Sequence, residues 1–372
     1  MSHSSLFNPF RLASIPLKNR VLVAPMTRVS ATDDGCVSDL MFPYYRSFAE
    51  GGFGAVITEG VYTDKAFSQG YRYQPGLADI VQAAGWSKLI GQVQAAGARV
   101  IVQLMHAGAL SQYNPFKADT RGPSPVVPKG RQMAFYRGTG AYPAPQELVP
   151  SEIDAVLKGF ADAARRAQDA GADGVEVHGA NGYLLDQFLT DYTNQRKDAY
   201  GGNTLHRVRL TCEAIERVRE ATGPAFAVGV RISQGKVNDF EHKWAAAEDD
   251  ARIIFPQLAK AGASYIHTTE FQADAPAFAS GYPLARLARL LSGLPVIANG
   301  GLGDPAHASR MLADENADLV ALGKSALASP DWPKRVQEKT ALSEFSFDMF
   351  SPLADLETAN AYEAERAARL HP

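Results

Sequence analysis

The chain has 372 residues, a formal net charge of -3 at pH 7 and a hydrophobic fraction of 46%. This balance offers no electrostatic attraction to nucleic acid or to an anionic membrane, so we expect neither as a partner. No apolar run approaches the roughly 20 residues of a membrane-spanning helix, and the first residues lack the basic and apolar regions of a secretory signal. A cytoplasmic protein is therefore expected. Cys36 and Cys212 are too few for an iron–sulfur cluster or a cysteine-rich zinc site.

Short apolar segments recur along the chain, and helix-like sequence separates each from the next. Their nearly continuous hydrophobicity is typical of parallel strands that are buried on both faces. No G-x-G-x-x-G motif follows the first segment, as an open dinucleotide-binding sheet would require. We therefore predict a single α/β domain over residues 1–372, a closed (β/α)8 TIM barrel. Its predicted strands are 20–24, 55–59, 100–104, 174–178, 227–232, 265–268, 296–299 and 319–322.

Two segments do not fit the bare repeat. Residues 112–150 follow the third predicted strand and are punctuated by Pro and Gly, which predicts a capping insertion over the active face. Residues 343–372 form a C-terminal tail whose end, 356–370, is rich in Ala, Glu and Arg and is predicted to be helical. Another helix is predicted to begin at Ser151-Glu-Ile-Asp154, which has the pattern of a capping box.

The segment 173–183, DGVEVHGANGY, combines a short buried strand with a polar end. His178 and Asn181 are hydrogen-bonding groups three residues apart, and Tyr183 adds a phenol. This combination suits a site that holds an oxygen and transfers a proton. The pattern alone is equally compatible with side chains that cap neighbouring backbone. The barrel favours a functional site, because active sites of such barrels lie at the carboxyl ends of the strands.

Glycine-rich turns follow the seventh and eighth predicted strands. Asn299, Gly300 and Gly301 end the seventh strand, and Gly323 and Lys324 follow the eighth. Backbone N–H groups together with a lysine can hold a phosphate, and barrels commonly bind phosphate at this place. An isolated lysine is more often a solvated loop charge, but the paired glycine turn favours a phosphate site.

Three histidines at predicted strand ends, His106, His178 and His267, are candidate metal ligands. No HxH or HExxH spacing is present, and Arg231 at the end of the fifth strand would repel a central cation, so we expect no metal. Arg231 suits instead a flat, electron-accepting cofactor whose reduced ring carries negative charge, with Gln103 as a hydrogen-bonding partner.

The chain resembles the old yellow enzyme family of FMN-dependent ene-reductases. The resemblance covers nearly the whole barrel, and the matching stretches occur in order, which makes the full set far more specific than any one of them. The stretches are 8–10 (NPF), 17–21 (LKNRV), 24–28 (APMTR), 103–108 (QLMHAG), 177–188 (VHGANGYLLDQF), 194–202 (NQRKDAYGG), 230–233 (VRIS), 297–301 (IANGG), 322–324 (LGK) and 330–333 (PDWP).

This resemblance implies FMN as the cofactor and NADPH or NADH as the reductant. His178 and Asn181 would bind the carbonyl or nitro oxygen of a small-molecule activated alkene. The alkene would receive a hydride from flavin N5 and a proton from Tyr183. The implied cofactor-binding residues are Pro25, Met26, Thr27, Gly60, Gln103, Arg231, Asn299, Gly300, Gly301, Gly323 and Lys324.

The sequence departs from the family pattern at two positions. Lys324 stands where the family usually has Arg, which replaces a bidentate fork by a point charge on the phosphate. Met105 stands where many members carry a bulky aromatic, so the substrate pocket, to which we also assign Tyr71 and Phe271, is expected to be wider on that side. We expect a monomer or a homodimer. The alternative functions are a metal-dependent lyase or aldolase and a non-catalytic ligand-binding barrel.

Overall fold

A computed structural model describes residues 3–370. Its strands are β1 (Phe10–Leu12), β2 (Ile15–Leu17), β3 (Val21–Val23), β4 (Ala55–Ile57), β5 (Val61–Tyr62), β6 (Arg99–Met105), β7 (Arg121–Gly122), β8 (Gln146–Glu147), β9 (Gly174–Asn181), β10 (Ala227–Lys236), β11 (Tyr265–Thr269), β12 (Val296–Asn299) and β13 (Leu319–Leu322).

Helices separate most of these strands. They are α1 (Ser4–Phe7), α2 (Met41–Glu50), α3 (Ile80–Ala95), α4 (Pro150–Asp169), α5 (Leu184–Leu189), α6 (Thr204–Arg207), α7 (Arg209–Thr222), α8 (Glu248–Lys260), α9 (Leu284–Ser292), α10 (Pro305–Ala313), α11 (Lys324–Ala328), α12 (Trp332–Glu338) and α13 (Leu356–Leu370). Short 3-10 turns occupy Gly108–Leu110, Ala134–Tyr136 and Phe347–Phe350. Among the described residues, no helix combines the length and the apolar character that crossing a membrane requires.

Eight parallel strands close into a barrel, as the sequence predicts. Their order is β4-β3-β13-β12-β11-β10-β9-β6, and pairing of β4 with β6 completes the ring. Two strands are longer than predicted: β9 continues to Asn181 and β10 to Lys236. A bulge after Ile232 allows this extension, because it restores pairing at Lys236 opposite Asn181.

The barrel interior is apolar at its amino end. Because side chains alternate along a strand, every second residue points inward. Hairpin β1–β2 packs against this end: Ile15 lies beside Gly174, where β9 begins, and the side chain of Arg99, the first residue of β6, bonds to the hairpin backbone. The hairpin therefore closes the amino end and leaves the carboxyl end as the mouth. The interior cluster comprises Leu12, Ile15, Leu17, Leu22, Ala24, Ala55, Ile57, Ile101, Ala227, Tyr265, Ile297, Leu319 and Ala321.

The N-cap of helix α4 lies two residues earlier than the capping-box pattern at Ser151 indicates, so that prediction is wrong. Pro150 takes the first helical position, where a missing N–H costs nothing, and Val149 is the N-cap. The Glu152 carboxylate accepts a hydrogen bond from the Val149 N–H at 3.1 Å, while Val149 has no side-chain acceptor to return one. Helix α4 buries one apolar stripe, which consists of Ile153, Val156, Leu157, Phe160 and Ala164.

The C-terminal tail is fastened to the insertion between β6 and α4. The Ala354 N–H donates to the carbonyl of Phe135 at 2.9 Å, and Asp355 forms an ion pair with Arg137 at 2.7 Å. On the other side, the Leu356 N–H donates to the hydroxyl of Ser30 in the loop after β3. The helix predicted at 356–370 is α13. The tail thus joins the insertion to the first barrel loop.

Candidate active site

The end of β9 turns sharply because Asn181 adopts a left-handed backbone conformation, with φ 63°. Non-glycine residues rarely adopt this conformation, and Asn tolerates it better than most. Two hydrogen bonds to the extended β10 region fix the turn: the Asn181 N–H donates to the Ser233 hydroxyl at 2.9 Å, and the Asn181 carbonyl accepts from the Val237 N–H at 3.1 Å. The bulged extension of β10 therefore fixes the backbone conformation at Asn181.

A buried ion pair lies directly behind this turn. The Asp186 carboxylate accepts the Gly182 N–H at 2.6 Å, and Lys236 Nζ lies 2.9 Å from both of its oxygens. The two side chains are 0% and 2% exposed. Neither residue is among the site residues predicted from the sequence, although a lone acid within the apolar stretch Leu184-Leu-Asp-Gln-Phe-Leu189 is a signal of a buried, paired carboxylate. The pair anchors the backbone between Asn181 and Tyr183.

Lys236→Met is expected to destabilise the fold by about 3–5 kcal/mol, because it leaves the Asp186 charge buried without a partner. Urea unfolding followed by circular dichroism measures this cost. Lys158→Met is the matched control: Lys158 pairs with Asp162 on the exposed face of α4, where its side chain is 74% exposed, so the loss is expected to stay below about 0.5 kcal/mol. Equal losses in the two variants would contradict the structural role of the buried pair.

Tyr183 meets a second phenol at the mouth of the barrel. Its hydroxyl lies 2.6 Å from the hydroxyl of Tyr71, and its ring centroid lies 5.1 Å from that of His178. Met105 belongs to the same small cluster. Burial raises the pKa of Tyr183 well above its usual range, although the Tyr71 hydrogen bond partly opposes the rise. Both phenols are therefore protonated at neutral pH.

His178 is neutral in this environment. Burial lowers the pKa of His178 well below its ordinary value, and the positive charge of Arg231 lowers it further. Its Nδ1 atom is buried without a hydrogen-bond partner. A neutral imidazole carries one N–H donor, so His178 can hydrogen-bond to a ligand oxygen without releasing a proton. Within residues 3–370, no group of three or more His, Cys, Asp or Glu side chains is placed to hold a metal ion.

Arg231 forms the cationic side of the mouth. One of its terminal nitrogens donates to the Asn299 side-chain oxygen at 2.8 Å, while Nε is buried without a partner. The Asn299 amide donates in turn to the carbonyl of Ala321 at 2.9 Å, which fixes its orientation. Burial lowers the pKa of Arg231 to about 10, so the guanidinium stays charged at neutral pH. It presents an unused donor to any ligand bound in the mouth.

Gly60 lies close to two side chains at the mouth, those of Met105 and Gln103. A Cβ atom at Gly60 would lie 2.6 Å from the Met105 sulfur and 3.4 Å from Gln103 Oε1, so a larger residue there would have to displace Met105. Gln103 Nε2 donates to the buried Glu176 carboxylate at 2.8 Å. The predicted residues after β3 are half-buried and comprise Pro25, Met26 and Thr27.

The two glycine turns lie at neighbouring strand ends, since β12 pairs with β13. Gly300 and Gly301 have φ of 136° and 65°, and a Cβ at Gly300 would overlap the carbonyl oxygen of Glu270. Lys324 begins α11 and is exposed, with its Nζ 4.8 Å from the ring centroid of Phe347 in the tail. The strand order thus brings the predicted phosphate-binding residues together at one edge of the mouth.

Phe271 stands apart from the other predicted pocket residues. Its side chain is 86% exposed on the loop after β11, and its backbone passes Gly301 rather than Tyr71 or Met105. The structure therefore brings Tyr71 and Met105 to Tyr183 but does not bring Phe271 to them. An aromatic residue near a strand end cannot be distinguished from a pocket residue by sequence, because its exposure depends on how the loop folds.

Comparisons with known proteins agree with this geometry. The model of the NADH:flavin oxidoreductase / NADH oxidase family matches residues 5–343. A NADH oxidase from Thermoanaerobacter brockii is 33% identical over 348 residues, which are 91% of this chain and 52% of the relative. The chain thus spans about half the length of that relative. A putative 12-oxophytodienoate reductase 4 from Oryza sativa subsp. japonica is 33% identical over 355 residues, 93% of this chain and 89% of the relative.

A solved structure supports the same assignment. The old yellow enzyme homologue from Zymomonas mobilis superimposes with a TM-score of 0.84 at 29% identity, covering 93% of this chain and 96% of that one. Family model, sequence relatives and barrel architecture agree over more than nine-tenths of the chain. The chain therefore belongs to the NADH:flavin oxidoreductase / NADH oxidase family, and it resembles the old yellow enzymes within it.

Proposed function

We propose that the protein is an FMN-dependent oxidoreductase that uses NAD(P)H to reduce the C=C bond of α,β-unsaturated carbonyl or nitro compounds. The observation that carries the proposal is a group of residues at the mouth: the Tyr183 phenol, the neutral His178 imidazole and the Asn181 turn lie together at the end of β9. The Arg231 cation lies on β10, where it pairs with His178.

The residues at the mouth fit FMN by several independent features. Gln103 Oε1, at the end of the amide that does not bond to Glu176, provides an acceptor, and the unpartnered Arg231 Nε provides a donor to a ring carbonyl. The glycine turn at Gly300 and the charge of Lys324 suit the phosphate. Bound there, FMN would take a hydride from NAD(P)H and pass it to the alkene.

His178 and Asn181 would hold the carbonyl or nitro oxygen of the alkene. Negative charge builds on this oxygen as the C=C bond is reduced, and donors aimed at developing charge lower the barrier. A single such donor can contribute about 2.7–4 kcal/mol in a buried site. The hydrogen bond from the Asn181 backbone N–H to Ser233 fixes the main chain from which the amide extends, and the neutral His178 ring keeps one N–H donor.

Tyr183 would transfer its hydroxyl proton to the α-carbon of the substrate. A phenol is a weak acid at neutral pH, but a carbon-centred anion is basic enough to take its proton. As the proton leaves, the Tyr71 hydroxyl at 2.6 Å can donate its hydrogen bond to the Tyr183 oxygen and stabilise the phenolate. Protonation from solvent then restores Tyr183.

The purified protein tests this proposal directly. We expect a yellow preparation that releases FMN on denaturation and oxidises NADH or NADPH when enones or nitroalkenes are added. Rates for a panel of alkenes with both cofactors would define the substrate class and the preferred reductant. A colourless protein that takes up no FMN would refute the proposal, and stoichiometric zinc in such a preparation would favour a metal-dependent lyase or aldolase.

Lys324→Ala is expected to weaken FMN binding by about 10–100-fold, because a hydrogen bond to a charged group contributes about 1.5–3 kcal/mol. Fluorescence titration of the apoprotein with FMN measures the dissociation constant. Lys88→Ala, on the exposed side of helix α3, is the control for the loss of a surface charge and is expected to leave FMN affinity unchanged. FMN affinity equal to wild type in Lys324→Ala would place the phosphate elsewhere.

A further inference from the structure

Glu176 is a fully buried carboxylate inside the barrel, and the function proposed above does not use it. It lies on β9 two residues before His178, so both side chains point inward, and it is 0% exposed. Three donors from neighbouring strands surround its oxygens: Gln103 Nε2 at 2.8 Å, His267 Nδ1 at 2.9 Å and the Tyr265 hydroxyl at 3.2 Å. Such complete hydrogen bonding is what a buried charge requires.

This carboxylate determines which end of the Gln103 amide faces the mouth. An ionised carboxylate only accepts hydrogen bonds, so the NH2 end of Gln103 must point to Glu176. The Gln103 backbone N–H donates to the Thr58 hydroxyl at 3.1 Å, which fixes the base of the side chain. The amide oxygen is left on the side of Gly60. Gln103 therefore offers an acceptor, and not a donor, to a ligand in the mouth.

Glu176 also balances the charge of the mouth. Burial alone would raise the pKa of Glu176, but its contact with the His267 ring, the charge of Arg231 and the hydrogen bond from Gln103 hold it below its ordinary value. Burial lowers the pKa of His267, so we assign a neutral ring that donates its Nδ1 proton. Arg231 makes its hydrogen bond to Asn299 rather than to Glu176. The two opposite charges thus offset each other through space.

We propose that Glu176 is a positioning residue with two effects on the flavin: it orients Gln103 so that the amide oxygen accepts the imide N–H of the ring, and its buried charge offsets Arg231 and makes the ring harder to reduce. The proposal rests on the proposed function, since it requires bound FMN. The physical reason for the second effect is that reduction adds negative charge to the ring, which a nearby carboxylate disfavours.

Glu176→Gln tests both effects at once, because the amide has the same shape but no charge and no longer dictates the orientation of Gln103. We expect the midpoint potential of the bound flavin to shift to a more positive value, and the FMN dissociation constant to rise roughly tenfold as one hydrogen bond is lost. Spectroelectrochemical titration gives the potential, and fluorescence titration of the apoprotein gives the dissociation constant.

Two further variants separate the effects. Tyr265→Phe removes one donor but keeps both the charge and the Gln103 contact, so potential and FMN affinity should both remain at wild-type values. Glu176→Asp keeps the charge but shortens the side chain away from Gln103, so FMN affinity should fall while the potential changes much less than in Glu176→Gln. If Glu176→Gln fails to fold, Glu176→Asp is measured in its place.

The outcomes are distinguishable. Wild-type potential and wild-type FMN affinity in folded Glu176→Gln would overturn the role of Glu176 and leave the proposed function intact. A shift of similar size in Tyr265→Phe would also overturn it, because the effect would then follow general repacking of the barrel interior. Wild-type protein that takes up no FMN would overturn the proposed function and this role with it.

Discussion

Tyr183→Phe is expected to slow alkene reduction by about 10²–10⁴-fold, the range typical of a lost general acid, while flavin reduction by NAD(P)H keeps its wild-type rate. The reason is that the phenol proton is needed only when the substrate carbon is protonated. Stopped-flow absorbance measures the two half-reactions separately. Wild-type alkene turnover in this variant would show that another group or water donates the proton.

Tyr71→Phe is a milder change to the same pair of phenols. It removes the hydroxyl that lies 2.6 Å from Tyr183 Oη but leaves the proton donor in place. We expect a smaller loss of the rate of alkene reduction, about 3–10-fold, as for one neutral hydrogen bond.

Because burial raises the pKa of Tyr183, the protonated, active phenol should persist throughout the neutral range and be lost only above the ordinary tyrosine pKa of about 10. A pH–rate profile of the alkene half-reaction checks this sign.

His178→Ala and Asn181→Ala are each expected to lower the rate of alkene reduction by about 10²–10³-fold, because each removes one donor to the substrate oxygen. The affinity for a phenol or enone should fall as well, and the change in the flavin spectrum on titration measures it. Asn316→Ala, in the turn before β13 at the closed end of the barrel, is the matched control and should match wild type. Unchanged ligand affinity in both site variants would refute their role.

The same titration tests the protonation state of His178. Since burial lowers the pKa of His178 well below its ordinary value, the imidazole stays neutral as the pH falls through 6.5. Ligand affinity is therefore expected to be constant between about pH 6 and 8, where an imidazole with an ordinary pKa would titrate. A change in affinity centred near that ordinary value would contradict the neutral state.

The eight barrel strands were predictable because parallel strands buried on both faces have a simple sequence pattern. The ends of β9 and β10 were not, since Gly179 and Gly235 give these extensions the composition of loops. What makes them strands is contact between distant residues: Lys236 pairs with Asn181, and the Ser233 hydroxyl accepts the Asn181 N–H. A local pattern carries no information on such pairing.

The location of the motif residues was predictable for a similar reason. Residues that follow the strands of such a barrel lie at its carboxyl end, which is the mouth. Asp186, Lys236 and Glu176 were not predicted, because their roles depend on partners in other elements of the fold. Glu176 sits in a segment that otherwise has the pattern of a buried strand, and its donors come from β6 and β11. Only the assembled barrel brings Gln103, Tyr265 and His267 to it.

The hairpin β1–β2 has a kinetic consequence. Because it closes one end of the barrel, the nicotinamide and the alkene of the proposed reaction would both enter through the opposite end. If both use the same binding face, oxidised nicotinamide would have to leave before the alkene could bind. Double-reciprocal plots at several fixed concentrations of either reactant should accordingly give parallel lines, with each reactant inhibiting at high concentration by occupying the place of the other.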